Sequence, residues 1–199
     1  MSAFLGPIHY WLYNKIKLQN DLTNRLMQWA TSHGIEIEEE LNEKYGVLPT
    51  ESLEAIIDGQ NIHGWLQEKV SLVEIRLADL VTTIHREKQE LMESMMKEVI
   101  AFGNSIETME ISNLKELYKL LGDILLDGMP CDHVNRLISE TETQITWKRT
   151  QCVHEKYWSQ VGGDVQDYYN LRSNMIKGIL LNTKFHYEND GEISTVTLN

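Results

Sequence analysis

The sequence has little of four things, and each scarcity excludes something. Cysteine occurs twice in 199 residues, at Cys131 and Cys152. A disulfide framework of the secreted kind needs more, so reduced thiols and a cytoplasmic location are expected. Proline occurs three times, at positions 7, 49 and 130, leaving room for long helices between them. Basic residues are outnumbered, 18 Lys and Arg against 30 Asp and Glu, for a formal net charge of −12. Phosphate backbones and anionic bilayers are bound through clustered cations, so neither nucleic acid nor a membrane is an expected partner. No run approaches the roughly 18 apolar residues that span a bilayer. Met1 to Tyr13 lacks the basic start of a leader, and Gly6-Pro7 and His9 break its apolar stretch.

What is present is helical patterning on a chain with enough apolar residues (42%) to build a core. Pro7 suits the first turn of a helix whose apolar face runs Ile8, Leu12, Ile16, Leu22, Leu26 and Trp29, closed by His33-Gly34. The strongest signal is Ile62, Leu66, Val70, Val73, Leu77, Leu80, Ile84, Leu91, Met95 and Val99, with one polar gap around Lys88. It predicts one helix of about 60 Å reaching a cap at Gly103-Asn104. A helix that long needs cover from the first and last helices or from a second copy, so a homodimer is expected. Ser112 or Asn113 opens a further helix through Leu125.

After Pro130 the texture changes. Residues 142–151 alternate β-favouring and polar residues, which favours a strand over a helix, with residues 134–139 as a hairpin partner or a helix. Helical texture returns from Cys152 to Gln160 and from Asp164 to Leu181. Lys184 to Glu188 and Glu192 to Leu198 flank Asn189-Asp190-Gly191 as a hairpin. The fold class is therefore mainly α (α+β): a long-helix bundle over residues 1–127 and a smaller α+β region over 128–199 with antiparallel strands, packed on it or forming one domain with it.

Three patterns carry candidate chemistry. The first is an echo, I-H-x-W-L-x-x-K-[IV], at residues 8–16 and 62–70, which puts His9 and His63 at the starts of two helices. If those helices run side by side in parallel, the imidazoles converge as ligands do in bundle metal sites; otherwise Trp and Leu pack the bundle end and His caps it. The second is a pair of Cys-x-His segments, Cys131-Asp132-His133 and Cys152-Val153-His154, the latter followed by Glu155. Thiolate, imidazole and carboxylate together suit zinc or iron, but residues i and i+2 share a face only in a strand. A buried structural cysteine beside a hydrogen-bonded histidine is the alternative. On these patterns a divalent metal held by some of His9, His63, Cys131, His133, His154 and Glu155, or a small molecule, is expected in a shared cavity at one bundle end. The chain resembles hemerythrin-like and DinB-like bundles in general style, without their His-x₃-Glu or His-x₃-His spacing. A non-enzymatic ligand-binding or assembly module is the competing class, and Tyr168, Tyr169 and Arg172 either line a pocket or cover a bundle edge.

The third pattern is Cys152 as a nucleophile at the positive end of a helix. Thr150-Gln151-Cys152, with Trp158 and Gly162-Gly163-Asp164, resembles the strand-Cys-helix unit of the 2-amino-thiazoline-4-carboxylate hydrolase-like proteins over a small part of the chain. That resemblance implies a cysteine-dependent hydrolase; Cys152 is the catalytic candidate on its place before the helix, and none of that family's catalytic residues is carried over.

Overall fold

A computed structural model describes residues 4–106 and 111–198. The start of the segment read as lacking a leader, Met1 to Ala3, lies outside them. The chain is mainly α, 61% helical, with a small antiparallel sheet toward its C-terminal end. Helix α1 (Pro7–Ser32) begins with proline in its first turn, where a missing N–H costs nothing. Its end is marked by Gly34 at a φ of 79°, in the left-handed region where glycine alone is unstrained. Two short helices, α2 (Glu38–Tyr45) and α3 (Leu53–Ile56), lead to α4 (Ile62–Glu87), which Asn61 caps by accepting the Gly64 amide.

The single long helix expected from Ile62 to Gly103 is two. After α4 the backbone leaves helical geometry at Lys88 (φ −144°), makes a 3₁₀ turn, and resumes as α5 (Met92–Ser105). Arg86-Glu87-Lys88-Gln89-Glu90 supplies no apolar residue to hold a continuous stripe against a neighbour, and this polar gap is where the helix breaks. Nor does Gly103 cap α5: it lies within the helix. A Cβ there would sit 2.3 Å from the Met175 carbonyl oxygen, and one on Gly178 would sit 2.1 Å from that of Ile100. The two glycines let α5 cross α8 (Val165–Leu180) with backbones nearly touching. Met95, Val99 and Phe102 are buried, so the apolar face that suggested a second copy is covered within the chain.

Helix α6 (Leu114–Ile124) precedes the strands β1 (Asn135–Glu140) and β2 (Gln144–Arg149). After β2 come α7 (Glu155–Gln160) and α8, then β3 (Phe185–Asp190) and β4 (Ile193–Leu198). Within the segment that reads as strand or helix, 142–151, residues Gln144–Arg149 form a strand, and both hairpins are present. They join into one sheet of order β1-β2-β4-β3, because β2 pairs antiparallel with β4, Ile145 opposite Val196 and Trp147 opposite Ser194. Ile145, Trp147, Val196, Phe185 and Tyr187 face the helices and share one core with α1, α4, α5, α6 and α8. A second apolar cluster, Leu12, Tyr13 and Ile16 against Ile62, Leu66, Val70 and Val73, fixes α1 beside α4. Among the described residues no helix is long and apolar enough to cross a membrane.

Candidate functional site

The residues with the most constrained chemistry are charged side chains on helix faces that are otherwise apolar. On α1, Lys15 and Gln19 interrupt the series Leu12, Ile16, Leu22, Leu26 and are buried with it. On α4, Glu74 lies among Val70, Val73 and Leu77 and is 1% exposed. On α8, Arg172 follows Leu171 and precedes Met175. Buried charges persist where partners meet them, and here most do.

Glu74 and Asp127 face opposite edges of one imidazole. Nδ1 of His154 is 2.9 Å from Glu74 Oε2, whose other oxygen accepts from Gln19 Nε2 at 3.0 Å. Nε2 of His154 points toward Asp127 Oδ1 at 3.8 Å, too far for a hydrogen bond, and has no other partner among the described residues. The ring stacks on Tyr168 at 3.7 Å between centroids, and Tyr168 Oη donates to the Leu126 carbonyl at 3.1 Å. Asp127 is gripped from its far side: Arg172 Nη1 and Nη2 donate to its two oxygens at 2.6 and 2.9 Å, and Asn135 Nδ2 donates at 2.7 Å. Burial opposes charge on His154, but Glu74 and Asp127 outweigh it and raise its pKa to about 9. Burial likewise opposes charge on Asp127, and Arg172 and His154 override it, holding the carboxyl well below the usual carboxylate range. At neutral pH His154 is therefore protonated, and Asp127 is ionised between it and Arg172.

Asp127 and Arg172 also line a cleft of about 350 Å³ between α1, α6 and the β1–β2 hairpin. Its walls are aromatic, from Trp11, Tyr118 and Trp147. Its charges are matched with one exception. Lys119 pairs with Asp123 at 2.7 Å, Trp11 Nε1 donates to the same carboxylate at 2.8 Å, and Arg172 is committed to Asp127. Lys15 has no ion pair or hydrogen bond among the described residues; its Nζ sits 3.4 Å from the centroid of the Trp11 ring. Burial lowers its pKa to about 8 against the pull of Asp127 and Asp123.

A second cleft, of about 450 Å³, lies on the Glu74 side and includes Asp132, Cys152, Glu155 and Tyr157. The Cys152 sulfur accepts from Tyr169 Oη at 3.1 Å and from the Glu155 amide at 3.3 Å, while Arg149 lies over the Tyr169 ring. Burial, aided by Cys152, raises the Tyr169 pKa, so its hydroxyl stays a donor.

The residues expected from the sequence are distributed unevenly over these features. His9 and His63 do meet, ring centroids 5.6 Å apart, because α1 and α4 start side by side. His9 Nδ1 accepts from the Gly6 amide, as a cap does, and His63 is exposed. Neither lines either cleft. Cys131 is exposed, and His133 follows it in the left-handed conformation (φ 49°) at the mouth of the Lys15 cleft. Cys152 and His154 point apart, the thiol outward and the imidazole inward, because they precede a helix rather than occupying a strand. Glu155 is exposed and accepts from Ser159. Among the described residues no three His, Cys, Asp or Glu side chains are arranged to hold a metal ion, and Glu74 and Asp127 flank His154 on opposite sides. Glu74 and Asp127 belong to no motif, and Lys15 is the lysine of the 8–16 echo, where His9 drew the attention; the signal that marks Lys15 and Glu74 is a charge at an apolar position of a helical stripe.

No protein family, curated protein or solved structure matches this chain.

Proposed function

We propose that this protein binds a small planar carboxylate in the aromatic cleft, with Lys15 as the counter-charge. The observation that carries this reading is the odd charge. The cleft holds two ion pairs and one further cation, which burial penalises and with which no carboxylate is paired among the described residues. A carboxylate at Lys15 would complete the pairing, and a flat body would lie among Trp11, Tyr118 and Trp147, as small-molecule sites combine apolar walls with few polar anchors. The buried Glu74–His154–Asp127–Arg172 chain acts as scaffold: it fixes Asp127 and Arg172 at the floor of the cleft so that neither competes for Lys15. Titration calorimetry with benzoate and with the uncharged benzyl alcohol tests the reading. Benzoate should bind and benzyl alcohol should not, with affinity falling as pH rises through about 8, where Lys15 loses its proton. Lys15→Met should abolish the difference. Equal binding of the two compounds, or benzoate binding indifferent to Lys15, would overturn it.

A second reading follows from the two donors that orient the Cys152 sulfur, and makes it a cysteine nucleophile facing the second cleft. His154 is engaged with Glu74 and not with the sulfur, so a base for this chemistry would come from elsewhere. Iodoacetamide should then alkylate Cys152 faster than Cys131, which is also exposed, at pH 7, and Tyr169→Phe should remove the difference; equal rates would dismiss this reading.

A further inference from the structure

We infer that Lys15 is a covalent amine: it forms an imine with the keto group of an aromatic 2-oxo carboxylate bound in the cleft. This rests on the carboxylate-binding reading and adds a reaction to it. An amine that is to attack a carbonyl must be reachable, must not be tied up in an ion pair, and must have its proton removed and a hydroxide's worth of oxygen protonated nearby. Lys15 lines the cleft and has no hydrogen bond or ion pair among the described residues, and its nitrogen rests on the Trp11 face rather than on a carboxylate. Asp123 and Asp127 line the same cleft, near enough to act on the charge of Lys15 but not paired with it. Burial has also brought the ammonium close to neutrality, which supplies free amine at physiological pH.

The step balances without an oxidant or reductant. The Lys15 nitrogen lone pair forms a C–N bond to the keto carbon, the carbonyl π pair moves to oxygen, and the proton leaving nitrogen ends on that oxygen. The carbinolamine then takes a second proton, its C–O bond breaks, and water leaves a protonated imine. That iminium keeps a positive charge where the ammonium was, so the substrate carboxylate stays beside a cation throughout, and the aryl group stays among Trp11, Tyr118 and Trp147.

The test is to incubate the full chain with phenylpyruvate and cyanoborohydride, then locate the reduced adduct by peptide mass spectrometry. Phenyllactate, which has the carboxylate and ring but no carbonyl, serves as competitor and as a calorimetric ligand. The expected result is one adduct, on Lys15, at least tenfold over exposed lysines such as Lys97 and Lys115, and suppressed by phenyllactate. Lys15→Arg, which keeps the charge but not the nucleophile, should bind phenyllactate and give no adduct above the exposed-lysine background. Phenyllactate binding without preferential labelling of Lys15 would overturn the imine and leave the binding reading standing. Labelling of Lys15 without phenyllactate binding would show a reactive amine without a carboxylate site, and would overturn the binding reading and with it the inference that rests on it. Absence of both would remove both.

Discussion

The first turns of α1 and α4 and the stretch that follows them make a useful contrast. At the N-terminal ends the same short motif occurs twice, and it brings His9 and His63 edge to face at 5.6 Å. Further along, Gln19 on α1 and Glu74 on α4 follow no repeated pattern, yet they reach into the buried network around His154, and Lys15, the lysine near the end of the α1 copy of the motif, reaches into the cleft beside it. The imidazole pair has one capped ring, one exposed ring and no third ligand among the described residues. The network sets each of its charges beside an opposite one, and in the cleft beside it Lys15 has no ion pair among the described residues. A motif reports that two helices start alike and side by side; a charge out of place on an apolar stripe reports where the fold has bound itself to particular chemistry.

The largest effect that would sharpen this contrast is on stability. Asp127→Ala removes the carboxylate between His154 and Arg172 and leaves two buried cations facing each other across the gap. Breaking a buried ionic network in this way costs about 3–5 kcal/mol, read by urea denaturation at pH 7. A loss below about 1 kcal/mol would show that the network is not a structural unit.

The next effect is on pH dependence. His154 has a folded pKa of about 9 against an ordinary value near 6.5. Its stabilising contribution is complete below pH 6.5 and is lost as pH rises through 9, in total on the order of 3 kcal/mol. Lys15 has the opposite sign: its lowered pKa means that its charged form weakens the fold, and this cost is relieved between about pH 8 and the ordinary lysine range. Between pH 6.5 and 8, therefore, wild type should lose stability while His154→Gln stays level. Parallel curves for the two proteins over that window would contradict the ionised network.

Smaller still is Lys15→Met. Removing a buried, unpaired ammonium while keeping the apolar stem should leave stability within about 1 kcal/mol of wild type, or slightly above it, while benzoate binding is lost. A fall of more than about 2 kcal/mol would mean that Lys15 is part of the scaffold. The smallest effect belongs to the exposed member of the imidazole pair: His63→Ala should change stability by less than about 0.5 kcal/mol and leave benzoate affinity unaltered.

Much of the fold is legible in the sequence because local patterning and tertiary packing agree there. The α1 start at Pro7 and stop before Gly34, the C-terminal hairpin, and the parallel starts of α1 and α4 all follow from turn chemistry and stripe spacing, whereas the β1–β2 hairpin is one of two readings that the texture of 134–151 allows. The break at Lys88 shows as a polar gap, but the chain beyond it is redirected by the close crossing of Gly103 and Gly178, a contact between segments 75 residues apart that no window along the sequence contains. The same limit governs the site. Arg172, Tyr168 and Tyr169 are visible as possible pocket residues, and Cys152 and His154 as a pair, but their sharing of a face depends on whether 152–154 is a strand. It is the approach to α7, so His154 turns inward to Glu74, 80 residues away, and Cys152 turns to Tyr169. Lys15 is legible as the lysine of the echo but not as a buried cation, and Glu74 only as an exception to the stripe it sits on.

The central claim is that Lys15 is the unmatched cation of the aromatic cleft, and titration of its side chain by NMR in protein carrying labelled lysine tests it most directly. The account predicts that Lys15 titrates near 8 in the free protein and moves upward when benzoate is added, with Lys119 unmoved. A Lys15 that titrates with the exposed lysines and ignores benzoate would contradict it.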